Sequence, residues 1–276
     1  MNHLASLLIL TSGLAHAIVN AILKAGKDKM SGRALIDGFS ALLLAPAAFF
    51  VPLPTHAWGW LAGSWLAHVA YLVCLIRAFE QADMSVAYPI SRGLAPTLTA
   101  ACAVLLFGES INAYTAVGIG LVSAGVLAIG ASHTLQARAL VWAVLTGACV
   151  AAYTVIDAQG VRAAPSAASY IVWVFLAMGV GIALGFAAWR GRAFVQAASQ
   201  QWKPGVIAGT LSIFTYGLAL IAFRLGATPR LAALRETSIL FGTAIAFLVL
   251  KERLTRARWL GIFAIAGGAA MLIARG

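Results

Sequence analysis

The sequence predicts an all-α membrane protein with ten transmembrane helices, built as two inverted five-helix repeats. The first observation is composition: 62% of the 276 residues are hydrophobic, 10% are charged, and the mean hydropathy is +0.93. A soluble domain carries about 25% charged residues, so this chain lacks the polar surface that contact with water requires. The other two observations are a series of long apolar runs and an internal repetition, in which runs of the first half recur in the second.

Ten apolar runs follow one another, and each is about as long as a helix that crosses a bilayer. They cover residues 4–23, 34–51, 57–79, 84–106, 111–131, 139–158, 167–189, 204–223, 228–250 and 257–274. Barrel strands are about half this length and alternate polar with apolar residues, so we predict helices and not a barrel. The connections are short, apart from a predicted turn over residues 190–203.

The fourth and fifth runs recur as the ninth and tenth. Arg92 matches Arg235, and each is followed at the same spacing by a glutamate, Glu109 or Glu252. Small residues also match, including Gly118 with Gly261 and Gly125 with Gly268. A unit of five spans, an odd number, enters the membrane upside down when it is repeated. We therefore predict two inverted repeats, residues 1–136 and 137–276.

The basic residues are distributed unevenly between the two predicted sides. Thirteen of the 19 Lys and Arg residues lie around the connections that follow odd-numbered spans, against four on the other side. By the positive-inside rule the first side is cytoplasmic, which places both termini outside, in the periplasm. The net charge of +11 is thereby explained. No basic patch interleaved with aromatic residues indicates a nucleic-acid partner.

Arg92 and Arg235 lie inside apolar runs, about 12 Å and about 10 Å from the starts of their helices at 1.5 Å per residue. A charge at this depth costs about 2.5–3.5 kcal/mol on insertion scales, and such residues mark solute pathways in transporters. We predict that one or both guanidiniums bind an anionic group of a transported solute. The alternative is that each is neutralised by an intramembrane acid, such as Glu236 or Asp157. Pro89 and Pro96 are predicted to loosen the helix around Arg92.

Other polar and aromatic side chains are predicted to share the cavity. Tyr153 and Asp157 lie one helical turn apart and form a second candidate site with Arg235. His68 and Tyr71 share a face of the third helix, and the eighth helix carries Ser212, Thr215 and Tyr216 at the corresponding place. The predicted substrate-binding residues are Arg92, Arg235, Tyr88, Tyr153, Asp157, His68, Tyr71, Ser212 and Tyr216. Polar residues on one face of a membrane helix also hydrogen-bond to neighbouring helices, so a structural role stays open for each.

Three titratable groups are candidates for a coupling proton: Glu236, Asp37 and His16. Asp37 lies close to a basic turn, which leaves open that it is a solvated charge at a helix end. Glu109 and Glu252, at helix ends, are predicted to stabilise the dipole of the next helix. Two sets of small residues are predicted to form close-packing faces. These sets are Ala116, Gly120 and Ala124, and Gly181 with Gly185.

Several motifs resemble EamA-type repeats of the drug/metabolite transporter superfamily. The first repeat is represented by Ala87-Tyr88-Pro89, Arg92-Gly93, Pro96 and Gly108-Glu109, and the second by Arg235-Glu236-Thr237-Ser238, Lys251-Glu252-Arg253-Leu254, Gly261 and Gly267-Gly268. A further resemblance, to one bacterial branch of EamA-type proteins, rests on the motifs His16-x3-Asn20-x3-Lys24 and Tyr153-x3-Asp157. The resemblance covers essentially the whole chain and implies a ten-helix carrier of the inner membrane. Ser110 departs from it, because such repeats commonly carry Arg after this Glu.

The residues and the resemblance together predict a secondary transporter, an exporter or exchanger of small metabolites. Amino acids and other small carboxylates fit two cationic side chains, and transport would proceed by alternating access through a cavity between the repeats. A flippase for a lipid-linked or amphipathic substrate is the alternative. Enzymatic motifs are absent from the sequence, so neither catalysis nor a cofactor or metal is predicted. The expected partners are the solute, the lipid bilayer and a coupling proton.

Overall fold

The computed structural model describes residues 3–25, 29–82, 84–130, 137–248 and 255–275. These residues form eleven α-helices and one short 3₁₀ helix, and no β-strand occurs among them. The α-helices are α1 (His3–Ala25), α2 (Lys29–Leu44), α3 (Trp58–Gln81), α4 (Met84–Phe107), α5 (Ala113–Gly130), α6 (Ala137–Ala163), α7 (Ala167–Arg190), α8 (Arg192–Leu225), α9 (Thr228–Arg235), α10 (Ser238–Leu248) and α11 (Arg256–Arg275). The 3₁₀ helix, Ala45–Phe49, extends α2.

Nine helical segments in the described part of the chain are long and apolar enough to cross a membrane, namely α1, α2 with its 3₁₀ extension, α3 to α8 and α11. The predicted ninth span, residues 228–250, is divided between α9 and α10 and is not among these nine helices. The predicted fold class is confirmed: the chain is an all-α, multi-pass integral membrane protein.

Two details of the predicted helices are wrong. The predicted turn over residues 190–203 is helical from Arg192, and only Gly191, with a φ of 49°, separates α7 from α8. Buried Phe194 and Ala197 pack this polar-looking stretch onto the protein and so extend the helix. The second difference concerns helix distortion: α4 continues through Pro89 and Pro96, whereas the break occurs in the second repeat, between α9 and α10.

The break after α9 has a local cause. The Thr237 hydroxyl donates to the Leu234 carbonyl at 2.7 Å, and the Thr237 amide binds the same carbonyl at 3.1 Å. These bonds tighten the last turn of α9 and end the α-helical pattern there. The predicted ends at residues 131 and 249–250, and the motif Lys251-Glu252-Arg253-Leu254, lie outside the described residues.

The fifth helices of the two repeats, α5 and α11, pack against each other through matched glycines. A Cβ on Gly125 would lie 2.7 Å from the Gly261 carbonyl oxygen, and one on Gly268 would lie 2.7 Å from that of Gly118. In the internal repeat, Gly118 corresponds to Gly261 and Gly125 corresponds to Gly268. The contact between Gly118 and Gly268 therefore corresponds to the contact between Gly261 and Gly125. The two helices are therefore antiparallel about an approximate two-fold axis, which is the inversion that the odd number of spans predicts.

The predicted packing faces are only partly correct. Ala116, Gly120 and Ala124 are exposed, and α5 packs through the face that carries Gly118 and Gly125 instead. Because α5 is apolar on all sides, its sequence does not select the inward face. Gly181 does pack closely, since a Cβ there would collide with Nε1 of Trp65, but Gly185 has no neighbour within 4 Å.

Helices of one repeat pack mainly on helices of the other, which leaves a cavity between the halves. Besides the α5–α11 contact, the largest cross-repeat interfaces join α3 to α6, α4 to α6, α1 to α8 and α2 to α7. Small side chains allow the close approach of α2 and α7, where a Cβ on Gly179 would collide with the Asp37 carbonyl oxygen. The polar residues on the inner faces of these helices are thereby directed toward the centre of the bundle.

Candidate functional site

A cavity of about 300 Å³ lies between the two repeats and is lined by residues from both. Its wall reaches Phe79 and Glu80 near the end of α3, where the Glu80 side chain is 47% exposed. We call this end of the bundle the mouth end. The opposite end, where α6 and α8 finish and α9 begins, is called the closed end.

Ten of the twelve residues predicted to bind substrate or a proton line this cavity. They are His16, Asp37, His68, Tyr71, Tyr88, Arg92, Tyr153, Ser212, Tyr216 and Arg235. The other two, Asp157 and Glu236, lie behind the wall and hydrogen-bond to residues that line it. In this conformation neither of them lines the cavity, so the substrate role predicted for Asp157 and the proton role predicted for Glu236 stay predictions. The roles of the ten lining residues in binding stay predictions.

Arg92 forms a buried two-point salt bridge with Glu236. Its Nε lies 3.0 Å from one carboxylate oxygen and its Nη2 lies 2.8 Å from the other. Arg92 is on α4 and Glu236 directly follows α9, so the pair joins the two repeats. The Nε contact is a hydrogen bond, whereas Nη2 approaches the other oxygen without hydrogen-bond alignment, and each buried charge is neutralised by its partner. Neutralisation by an intramembrane acid, one of the two sequence alternatives, therefore holds for Arg92.

Arg235 lines the same cavity in a different environment. It is 7% exposed, and no carboxylate of the described residues forms an ion pair with it. Its Nε has no hydrogen-bond partner, and its Cζ lies 5.1 Å from the centre of the Tyr216 ring. The guanidinium is thus a buried cation that is supported by an aromatic face and retains its capacity to donate hydrogen bonds into the cavity.

Tyr216 is held from behind by Asp157, which is fully buried. The Tyr216 hydroxyl donates a short hydrogen bond to one oxygen of Asp157, and the Tyr170 hydroxyl donates to the other at 2.7 Å. The predicted direct site formed by Tyr153, Asp157 and Arg235 is therefore wrong in one member. Two side chains at i and i+4 share a helix face, but Tyr153 reaches the cavity while Asp157 is covered by the two tyrosine rings.

An aromatic wall faces the two arginines. The His68 and Tyr153 rings stack with their centres 4.0 Å apart, and Tyr71 packs edge-on against Tyr153 at 5.7 Å. His68 Nδ1 lies 2.9 Å from the Ser64 carbonyl oxygen. Because a carbonyl only accepts, Nδ1 carries the proton in this bond, and the neutral ring keeps Nε2 as an acceptor. This wall offers flat apolar surfaces together with tyrosine hydroxyls.

The structure also assigns the cavity a charged pair that the sequence analysis treated differently. Arg33 precedes the second predicted span, residues 34–51, and so fell in the basic connection before it, yet it lines the cavity and lies 3.1 Å from Asp37 on the same helix. Asp37 is 3% exposed, so the solvated helix-end interpretation is wrong. Its second oxygen, Oδ2, is buried without a hydrogen-bond partner. The spacing of i and i+4 was the signal that could have paired these residues.

Apolar lining residues were missed by the sequence analysis. Phe175, Met178 and Phe186 on α7 contribute to the wall of the cavity. Nothing in an apolar helix distinguishes a residue that faces a cavity from one that faces lipid, so no sequence signal was available for them.

Two of the three polar residues in the α1 motif His16-x3-Asn20-x3-Lys24 line the cavity. His16 and Asn20 line it, and the Asn20 amide lies 3.4 Å from the Tyr88 hydroxyl, which it approaches as a donor. Lys24, the third member, lies outside the residues whose side chains the structure describes. Thr215 on α8 donates instead to the Ser12 carbonyl on α1, and the Ser12 hydroxyl donates back to the Thr215 carbonyl.

The closed end is held by a second ion pair between the repeats. Arg162 on α6 lies 2.7 Å from Glu109, and it also donates to the carbonyls of Phe223 and Gly226. Glu109 in turn accepts from the amide and the hydroxyl of Thr228, at the start of α9. The prediction that Glu109 stabilises the next helix in the sequence, α5, is thus wrong. The helix concerned is α9 of the other repeat, and Asn112 caps α5.

Within the described residues, no group of three or more His, Cys, Asp or Glu side chains could hold a metal ion. The three cysteines are half-buried in helices, without disulfides. The chemistry that the site offers is therefore that of fixed charges, hydrogen-bond donors and aromatic surfaces.

Helices in two repeats around a charged central cavity define a membrane protein of the carrier class. The EamA-like transporter family model matches this chain twice, over residues 3–131 and 137–274. The chain belongs to that family and is a membrane transporter of the drug/metabolite transporter superfamily. A solved structure described as "Crystal structure of protein" is similar over 99% of both chains, with a TM-score of 0.77 and 17% sequence identity. At that identity it bears on the fold alone. No curated protein matches the chain.

Proposed function

We propose that this protein is a secondary transporter of small carboxylates, amino acids among them, and that Arg235 binds the carboxylate. The observation that carries the proposal is that Arg235 is a buried cation in the cavity that forms no ion pair with a carboxylate of the described residues. A desolvated cation next to an aromatic ring is costly to maintain unless an anion reaches it during the transport cycle.

The rest of the cavity supports a metabolite with a flat or apolar part. The stacked rings of His68 and Tyr153 provide the surface, and the hydroxyls of Tyr71 and Tyr153 form no protein hydrogen bond among the described residues. A volume of about 300 Å³ is at the small end of the usual range of ligand sites. This size favours a solute over the lipid-linked substrate of a flippase.

The transport cycle follows from the two ends of the cavity. In this conformation the mouth end is open and the closed end is held by the Glu109–Arg162 pair. We assign the mouth end to the cytoplasm of the inner membrane on the basis of the positive-inside rule, which places both termini in the periplasm. Loading would then occur from the cytoplasm, as in an exporter or exchanger. Release would require the Glu109–Arg162 contact to break while the mouth closes.

A coupling proton has one best acceptor among the three predicted groups. Both oxygens of Glu236 are engaged by Arg92, whereas Oδ2 of Asp37 lies in the cavity region without a partner. His16 also borders the cavity but lies on α1, apart from that pair. Asp37 is therefore the group that can exchange a proton without breaking a contact between the repeats. The repeats themselves would be the units 1–136 and 137–276 that move relative to each other.

Counterflow in proteoliposomes tests the proposal. The labelled probes would be L-phenylalanine, L-threonine, benzoate, succinate and a carboxylate-free amine, phenethylamine. We expect exchange of at least one carboxylate probe and none of phenethylamine. Arg235→Ala should lower the ratio of the maximal exchange rate to KM about 10-fold to 100-fold, since hydrogen bonds to charged groups contribute about 1.5–3 kcal/mol.

Arg192→Ala is the matched control, because it removes an exposed arginine that does not line the cavity. It should leave exchange unchanged. Exchange of carboxylates that is equally fast in the wild type and in Arg235→Ala would remove Arg235 from the substrate site. Exchange of phenethylamine alone would overturn the assignment of the substrate class.

A further inference from the structure

A buried carboxylate that no cation neutralises within the described ranges lies directly behind the cavity wall. Asp157 on α6 is 0% exposed and has no ion pair with any basic side chain in those ranges. Its two oxygens accept hydrogen bonds from the hydroxyls of Tyr170 on α7 and Tyr216 on α8. Three helices of the second repeat therefore converge on one acid.

The chain contains a specific space for this arrangement. Gly160 lies three residues after Asp157 in the sequence, and a Cβ at Gly160 would collide with the ring of Tyr170. A larger residue would displace Tyr170 and with it one of the two donors to Asp157. The position of the carboxylate is thus fixed on the side away from the cavity.

On the cavity side, Tyr216 is fixed in turn. Its hydroxyl is bound to Asp157, and its ring contacts Phe175 and His68 edge-on, with centres 6.1 and 6.2 Å away. The face of the ring lies 5.1 Å from Cζ of Arg235. A tyrosine that donates to a carboxylate has a more electron-rich ring, and a cation over that ring is held more strongly.

We propose that Asp157 is a positioning residue that sets the orientation of the Arg235 guanidinium through the Tyr216 ring. Asp157 touches neither the cavity nor Arg235, so it acts only through Tyr216. The inference rests on the proposed function, in which Arg235 binds the substrate carboxylate. It adds that the affinity for the carboxylate depends on an acid one layer away from the substrate.

The test is the rate at which phenylglyoxal modifies Arg235 in the full-length protein, measured by mass spectrometry with Arg92 as the internal reference. Asp157→Asn keeps side-chain size but replaces the charged acceptor with a neutral amide, and Tyr216→Phe removes the hydroxyl that donates to Asp157. We expect each to raise the modification rate at Arg235 about threefold to thirtyfold, the range of a desolvated cation–aromatic contact. The rate at Arg92 should not change, because Glu236 continues to hold it.

Tyr170→Phe is the matched control, since it removes the other donor to Asp157 but leaves the Tyr216 contact in place. Its effect on Arg235 should be smaller than that of Tyr216→Phe. An unchanged rate at Arg235 in Asp157→Asn would overturn the inference. An equal rise at Arg92 and Arg235 would also overturn it, because that result indicates general loosening of the bundle.

Counterflow of the carboxylate probes separates this inference from the proposed function. Asp157→Asn should raise KM for the probe exchanged by the wild type and leave the maximal rate within about twofold. In the Arg235→Ala background, Asp157→Asn should have no further effect on KM, because the two residues act in series. If Arg235→Ala leaves exchange intact, the proposed function fails, whereas the labelling result still decides whether Asp157 positions Arg235.

Discussion

Arg92 and Arg235 occupy matched positions in the two repeats, yet their surroundings differ in one decisive way. Arg92 forms an ion pair with Glu236, whereas Arg235 forms no ion pair with any carboxylate of the described residues. The residue after Arg235 is that same Glu236, whereas the residue after Arg92 is Gly93, where a Cβ would collide with Leu127 at 2.7 Å. The two repeats thus share one acid between two cations.

The comparison teaches that an intramembrane arginine is not a functional site by itself. Its role depends on whether the other repeat supplies a carboxylate. Arg162 supports the same rule, because it is paired across the repeats with Glu109 and holds the closed end. These paired cations join the two halves, and Arg235, which forms no such ion pair among the described residues, is the cation to which the proposed function assigns the substrate.

The largest expected effect comes from breaking the Arg92–Glu236 ion pair. Arg92→Ala leaves Glu236 buried without its cation, which should lower the free energy of unfolding by about 3–5 kcal/mol. Thermal unfolding in detergent measures the change. The double variant Arg92→Met with Glu236→Gln should recover most of the stability, because it removes both charges together. A single variant as stable as the double variant would show that the salt bridge has no structural role.

The next effect comes from making Arg92 resemble Arg235. Glu236→Gln removes the competing anion and frees the Arg92 guanidinium for the substrate. We expect the apparent affinity for the dicarboxylate succinate to rise about tenfold relative to the monocarboxylate benzoate, since one further charged hydrogen bond contributes about 1.5–3 kcal/mol. Competition of the two probes in counterflow measures the ratio. An unchanged ratio would mean that Arg92 does not face the substrate even when it is free.

The next prediction concerns the second ion pair between the repeats, Arg162–Glu109, which holds the closed end. Arg162→Ala should favour opening there by about 1–2 kcal/mol, which corresponds to a rate increase of about fivefold to thirtyfold. The measurement is labelling of Ser212→Cys, in a background without native cysteines, by an impermeant thiol reagent added from the closed end. Arg192→Ala is the control. Equal labelling rates in both backgrounds would exclude the Arg162 cluster as the closure.

The smallest expected effect concerns the Arg33–Asp37 ion pair, whose two members lie on the same helix, α2. Asp37→Asn keeps the contact with Arg33 through an amide oxygen but removes the group that exchanges a proton. The exchange rates of the wild type at two pH values should differ, and those of Asp37→Asn should differ by less than about twofold. Counterflow with equal pH on both sides measures this. A variant that keeps the full pH dependence of the wild type would assign the proton to another group.

Much of the fold could be predicted from the sequence. Ten apolar runs, the internal repetition and the odd number of spans predicted the helices, the two repeats and their inversion. These features are visible because lipid requires every spanning segment to satisfy its own backbone, which gives each helix a long uniform signal. The start of α8 was mistaken because a polar stretch that packs on the protein reads like a loop.

The candidate site was predictable in membership more than in arrangement. Charged and aromatic residues stand out in apolar helices, so ten lining residues could be named in advance. Asp157 was placed in the cavity because helix periodicity puts it on the face of Tyr153. Arg33 was placed in a loop because its run of neighbours is basic. In both cases the neighbouring helix decides which side chains are covered, and periodicity within one helix does not contain that information.

The sequence by itself determined that the chain is a multi-pass membrane protein built of two inverted repeats and that each repeat carries an arginine within an apolar helix. Hydrophobicity and spacing fix these properties because they act along single helices. Only the tertiary structure decided which cation is neutralised, since Glu236 is adjacent to Arg235 in the chain but reaches Arg92 in space. That choice depends on distances of a few ångströms between helices from opposite repeats, where the strength of a charge pair is set by geometry and burial together.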